Sequence, residues 1–153
     1  MKITSAVLLT TVAALLAASD GTSSMTASCA TTGPNHNMPG PGLLGGLFGN
    51  GRMAASAYRV IRVTPRIRNR DGSIGEKFWW YAAPNVKGNL RISGRRLDRP
   101  GGTVTGSGSP GSDPGNPTLR FWAVDVRFSD VGCWRVVGAA GRDRLALTVL
   151  VRR

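Results

Sequence analysis

Few side chains in this 153-residue sequence belong to types that do chemistry, and their spacing narrows the options quickly. The single histidine, His36, sits between Asn35 and Asn37 in a Gly/Pro-rich stretch. A nucleophile–base relay needs a histidine held in one orientation by a partner. Such a stretch is a poor place to hold one, so His36 reads as a loop residue. Cys29, Cys133 and His36 would supply three metal ligands, one short of a closed tetrahedral site, and would compete with a sulfur–sulfur bond. Neither a metal nor another cofactor is expected. Two carboxyl groups roughly 5–10 Å apart in a cleft could hydrolyse a glycosidic bond, and Glu76, Asp98, Asp125 and Asp130 are the candidates. All stand among arginines, so ordinary ion pairing explains them more simply. The Gly-rich run over 101–117 lacks a Lys-Ser/Thr ending and a following helix, which argues against a phosphate cradle.

What remains is recognition. Phe78-Trp79-Trp80-Tyr81, with Trp122, could stack on sugar rings or on guanidinium groups, and Arg95-Arg96 could pin an anion. The candidate ligand contacts are therefore Trp79, Trp80, Tyr81, Arg95 and Arg96. Each has a structural alternative: the aromatics fill a core, and the arginines form a solvated turn or pair with Asp98.

The elements that must position these residues are strands. Tyr58–Val63 is β-branched and roughly alternating, with Pro65 closing it or marking an edge. Asp71-Gly72 is a turn signal ahead of Lys77–Tyr81. Gly88–Gly94 alternates, with Leu90 and Ile92 inward and Arg91 and Ser93 outward. Trp122, Val124, Val126 and Phe128 share one face of Leu119–Phe128, and Asp125 and Arg127 the other. Gly132–Gly138 and Leu145–Val151 complete the set. No segment has the apolar period of an amphipathic helix, and 21 glycines and 9 prolines favour turns over long elements. Six or seven such strands predict an all-β fold, a small antiparallel immunoglobulin-like sandwich. Residues 52–153 form that domain, 20–51 an irregular N-terminal arm, and 101–117 a mobile surface loop.

The first residues set the compartment. Met1-Lys2 precedes a 13-residue apolar stretch, Ala6–Ala18, and Ala17 and Ser19 suit the −3 and −1 positions of a cleavage before Asp20. Residues 1–19 therefore read as a signal peptide, with an uncleaved N-terminal anchor as the alternative, and the chain as exported. Two cysteines in an oxidising compartment can bond, and a Cys29–Cys133 bridge closing about 100 residues would stabilise the fold by about 4–5 kcal/mol on the chain-entropy account. Lipidation of Cys29 is the alternative, although Thr26 stands where a Leu-like residue belongs. The net charge of +12 comes mostly from arginine, 17 of the 20 basic residues. Such a surface suits an anionic cell-envelope polymer, an acidic glycan or a membrane surface, unless the arginines merely coat strand faces. Nucleic acid is excluded as a partner by the expected export and by aromatics that do not interleave with the charges.

Several short elements occur in a recognisable order: Cys29 with Pro34-Asn35, Gly49-Asn50-Gly51, Gly72-Ser73-Ile74-Gly75-Glu76-Lys77-Phe78-Trp79-Trp80, Gly88–Asp98, and Gly132-Cys133-Trp134-Arg135-Val136-Val137-Gly138. Together they resemble a family of uncharacterised exported bacterial proteins with an immunoglobulin-like β-sandwich domain. The resemblance implies one sandwich domain and a disulfide between the two cysteines, and it implies no activity. The sequence departs from the pattern after Gly-Asn, where Met53 and Ala54 replace an expected tryptophan, and in the aromatic-free run over 101–117.

The expectation is thus an exported, non-enzymatic domain that binds or scaffolds at the cell envelope. A carbohydrate hydrolase using paired carboxylates is the runner-up, beside an arginine-driven module for anionic polymers. Cys133 and Trp134 read as a structural anchor, which places any functional surface elsewhere.

Overall fold

A computed structural model describes residues 28–43, 45–56, 58–113 and 115–153. The signal expected over 1–19, the first residues of the arm and Leu44 lie outside the described residues. Nine strands follow in order: β1 (Leu47–Gly49), β2 (Met53–Ser56), β3 (Val60–Arg62), β4 (Ile74–Ala82), β5 (Leu90–Arg96), β6 (Val104–Gly108), β7 (Arg120–Phe128), β8 (Gly132–Ala140) and β9 (Asp143–Arg152). One 3-10 turn, Pro65–Ile67, joins β3 to β4, and the described residues contain no α-helix.

The fold is all-β, as the alternation predicts. All nine strands belong to one sheet, ordered β1-β2-β4-β7-β6-β5-β8-β9-β3, which curls into a half-barrel around its own inner face. The expectation of purely antiparallel pairing needs one correction. Edge strand β3 runs parallel to β9, with Val60, Ile61 and Arg62 opposite Leu150, Val151 and Arg152. Its short apolar run explains the mixed sequence phase: Ile61 enters the core while Val60 stays exposed at the rim.

The inner face is dry and aromatic. Phe78 and Trp80 from β4 and Trp122, Val124, Val126 and Phe128 from β7 meet Trp134 and Val136 of β8 and Leu145, Leu147, Val149 and Val151 of β9. Each is buried because period-2 alternation points every second side chain of a strand to one face. Each such large side chain stabilises by about 1.5–3 kcal/mol relative to full exposure. Trp80 and Trp122 stand opposite each other in the β4–β7 register. Neither indole N–H has a partner among the described residues, an omission worth about 1–3 kcal/mol apiece. Gly138 lies beneath Trp80, where an added Cβ would overlap the ring.

The stretch expected to be a mobile loop over 101–117 contains β6, wedged between β5 and β7. Val104 turns inward and is buried. The next two inward positions are Gly106 and Gly108, where the Val124 side chain fills the space a Cβ would take. A strand whose inward residues are glycines carries no hydrophobic alternation to see.

The arm is tied down as well. Part of it, β1, adds an edge strand on β2. The Asn35 amide brackets Gly49, donating to its carbonyl at 2.8 Å and accepting from its N–H at 2.9 Å. Thr32 exchanges two hydrogen bonds with Thr148 of β9.

Candidate functional site

The two cysteines are bonded. The Cys29–Cys133 disulfide spans 104 residues, with Cα atoms 5.5 Å apart, and fastens the arm to the outer side of β8. One residue on, Trp134 turns inward, fully buried. Arg96 at the end of β5 lies over its ring, 5.5 Å from guanidinium carbon to centroid. The Arg96 side chain is only 7% exposed and pairs with Asp98 at 2.8 Å and Asp130 at 3.4 Å. It also donates to the Val131 carbonyl. Gly132 leaves the space this guanidinium occupies. Trp134 in turn donates its indole N–H to the Asp130 carbonyl at 3.2 Å.

The network consumes Arg96 internally, which corrects its place among the candidate ligand contacts: it is a partner of Asp98, the structural alternative. Arg95, one residue earlier, emerges on the opposite, solvent-facing side of β5.

The aromatic candidates divide in the same way. Trp80 faces inward with no exposure, so its candidacy as a ligand contact is also corrected. Trp122 and Phe78 are likewise core residues. Trp79 faces out and is 47% exposed. It meets Phe121 edge-on with centroids 5.8 Å apart, and Tyr81 packs on the same ring at 5.2 Å. Tyr81 joins Ala54 and Leu119 in a small outer cluster under Met38, Leu43 and Leu47 of the arm. Burial, then the charge and hydrogen bonding of the adjacent Asp113 carboxylate, push the Tyr81 phenol above its ordinary pKa. An open groove of about 510 Å³ runs along these residues, with Tyr58 and Asn116 also on its wall.

A second surface covers the outer face of β5, β6, β7 and β8. Arg95 stands directly opposite Arg135 in the β5–β8 register. Arg91 faces Ser107 across β5–β6 and Ala139 across β5–β8, and Arg127 faces Thr105 across β6–β7. All four arginines are exposed. Like charges directly opposite on antiparallel strands repel, and a carboxylate between them would ordinarily offset the cost. Among the described residues, however, only Arg52, Arg96 and Arg99 of the arginines have a carboxylate oxygen within 4 Å. A shallow hollow of about 520 Å³ lies between Arg91 and Arg127, edged by Thr105, Ser107 and the carboxylate of Asp125. Asp125 offsets part of the charge at the Arg91–Arg127 end, so the Arg95–Arg135 pair is the part of the face that offers guanidinium donors for phosphate, sulfate or carboxylate groups with no carboxylate oxygen within 4 Å among the described residues.

The four candidate carboxylates fall into two pairs. Asp98 and Asp130 meet on Arg96, and Arg99 adds a contact to Asp130 at 2.6 Å. For Asp98, burial pushes the carboxyl up, but hydrogen bonds from Arg96 and from the backbone, with the Arg96 charge, outweigh it and hold the group below its ordinary range. For Asp130 the Val131 N–H leads, and against the opposing effect of burial it is joined by Arg96 and Arg99; this carboxyl is also held low. Glu76 and Asp125 line a shallow hollow with Lys77 and Arg127, and Asp125 lies 3.9 Å from the Lys77 ammonium. His36 is exposed on the arm. No grouping of three or more His, Cys, Asp or Glu suited to a metal occurs among the described residues. No helix of the described residues is long and apolar enough to cross a membrane.

Sequence reasoning missed Arg91, Arg127 and Arg135 as members of one patch, and Tyr58, Asp113 and Asn116 as walls of one groove. The outward phase of Arg91 and Arg127 was legible, but which outward residues become neighbours depends on strand pairing. Comparison of the chain with known families, with curated proteins and with solved structures finds no match.

Proposed function

We propose that this chain is an exported, non-enzymatic binding domain of the cell envelope whose outer arginine face holds an anionic polymer. The observation that carries the reading is the Arg95–Arg135 cross-strand pair. Two arginines stand directly opposite each other in the strand register, at a cost to the sheet and with no carboxylate oxygen within 4 Å among the described residues, and an external polyanion would remove that cost. Arg91 and Arg127 extend the positive strip and the intervening hydroxyls add donors. The Cys29–Cys133 bond accords with an oxidising compartment, and so with the signal read at residues 1–19.

Kinship with exported proteins carrying an immunoglobulin-like sandwich is part of the same proposal. Its support is a core tryptophan beside a disulfide-bonded cysteine, together with inner faces that pack on one another across the curled sheet.

The hydrolase alternative has weaker support. A glycosidase acid needs a carboxyl held protonated near neutrality, whereas Asp98 and Asp130 are both pushed the other way. The test is retention of the mature domain on immobilised polyphosphate. Binding at 50 mM NaCl and release by 0.5 M NaCl is expected, because such contacts are screened and displaced by salt. Flow-through at low salt would overturn the reading.

A further inference from the structure

The groove along Trp79 differs in charge from the rest of the surface. In a chain with 20 basic and 8 acidic residues, its wall carries Asp113 and neither lysine nor arginine. Asp113 accepts the Gly115 N–H at 2.9 Å and has no ion-pair partner among the described residues. The same groove is lined by Tyr58, 40% exposed with its ring edge-on to Phe78 at 5.5 Å, by Trp79, 47% exposed, and by Tyr81. Trp79 and Tyr81 are two residues apart on one strand, so they rise from the same face with their backbone attachments roughly 7 Å apart. Phe121 supports both from the next strand. Asn116 lies on the same wall and donates to the Gly42 carbonyl at 3.3 Å.

Aromatic faces attract a cation through their quadrupole, by about 0.5–2 kcal/mol per ring according to desolvation, and a carboxylate supplies the counter-charge. From this arrangement we propose that the groove binds a compact organic cation, a quaternary or alkylated ammonium group, between the rings of Tyr58 and Trp79 with Asp113 as its counter-ion. The site is separate from the arginine face, and the proposal goes beyond the polyanion reading. An anionic ligand is disfavoured by Asp113. A neutral sugar would use the Trp79 ring but gain nothing from the carboxylate charge. The +12 net charge opposes cations at long range, but physiological salt screens beyond about 8 Å, within which Asp113 and the rings dominate.

The experiment is a fluorescence titration of the mature protein in 150 mM NaCl with choline as probe. The other three tryptophans are buried, so a change in emission reports Trp79. A saturable response to choline is expected from the parent, and in isothermal titration calorimetry, which does not depend on Trp79 emission, Asp113→Asn and Trp79→Ala should each bind choline at least tenfold more weakly. A cooperative thermal transition in each variant confirms that it folds. The uncharged isostere 3,3-dimethylbutanol should bind at least tenfold more weakly than choline. Equal binding of isostere and choline, or an Asp113→Asn variant that binds choline like the parent, would overturn the proposal. So would saturable binding of N-acetylglucosamine with no response to choline, which would assign the groove to a sugar. The Arg95→Ser/Arg135→Ser variant should bind choline normally, which separates failure of this proposal from failure of the polyanion reading.

Discussion

At the Cys133 end of the sheet, Arg96 turns inward over the Trp134 ring and is saturated by Asp98, Asp130 and the Val131 carbonyl. Arg95, its neighbour in sequence, points the other way, meets Arg135 across the strand pair, and has no carboxylate within 4 Å among the described residues. The two guanidinium groups are chemically identical, and strand alternation alone assigns one to holding the fold and leaves the other free to hold something else. Trp79 and Trp80 repeat the division on β4, one ring on the groove and one in the core. At these two adjacent pairs the inward residue serves the core and the outward one is open to solvent, so substitutions at adjacent positions should have opposite signatures.

The largest effect is expected at the bond that joins the two regions. Replacing both cysteines, Cys29→Ala with Cys133→Ala, should cost about 4–5 kcal/mol, because a closed loop of about 100 residues restricts the unfolded chain. Urea unfolding of the oxidised and cysteine-free proteins measures it, and coincident midpoints would show that the disulfide contributes nothing. Next come the tryptophans. Trp80→Ala should cost about 3–5 kcal/mol by leaving a cavity above Gly138, while Trp79→Ala, which loses one edge-to-face contact with Phe121, should cost about 0.5–1.5 kcal/mol. Trp80→Phe should cost clearly less than Trp80→Ala, since it retains an aromatic ring and deletes an indole N–H that has no partner. Comparable losses at 79 and 80 would erase the two-face distinction.

A smaller, pH-dependent effect separates the arginine environments. The Asp98 and Asp130 carboxyls are held below their ordinary pKa. Their contribution is therefore complete above the unfolded value near 3.9 and is lost as pH falls through the lower folded values. Thermal midpoints measured from pH 6 down to 2.5 should fall less steeply in Asp98→Asn/Asp130→Asn than in the parent. The residual slope belongs to Asp71 and Asp143, held low chiefly by hydrogen bonds from Ser73 and Arg52 respectively. Identical slopes would mean that the Arg96 network does not couple to folding.

Much of the sheet was legible before any coordinates, and the failures have physical causes. β5, β7, β8 and β9 announce themselves because each buries one face and wets the other. β6 does not, because Gly106 and Gly108 sit where apolar side chains would mark the phase. The phase of β5 did contain the answer for the arginines: Leu90 and Ile92 inward imply Arg96 inward, provided that the strand runs past Gly94, as it does. The Phe78–Tyr81 run had no polar residue to fix its phase, so Trp79 and Trp80 could not be told apart. The Arg95–Arg135 juxtaposition and the walls of the groove arise from residues far apart in sequence, and only strand pairing brings them together.

The most direct measurement is polyphosphate affinity at 50 mM NaCl for two variants that lose the same charge. Arg95→Ser/Arg135→Ser removes the cross-strand pair, whereas Arg59→Ser/Arg153→Ser removes two exposed arginines outside strands β5 to β8. Each charge-assisted contact is worth about 1.5–3 kcal/mol, so the first variant should bind at least tenfold more weakly than the parent. The second should bind within about threefold of it, since neither residue stands on the outer face of β5 to β8. Equal losses in the two variants would reduce the arginine face to a share of the net charge and contradict the account.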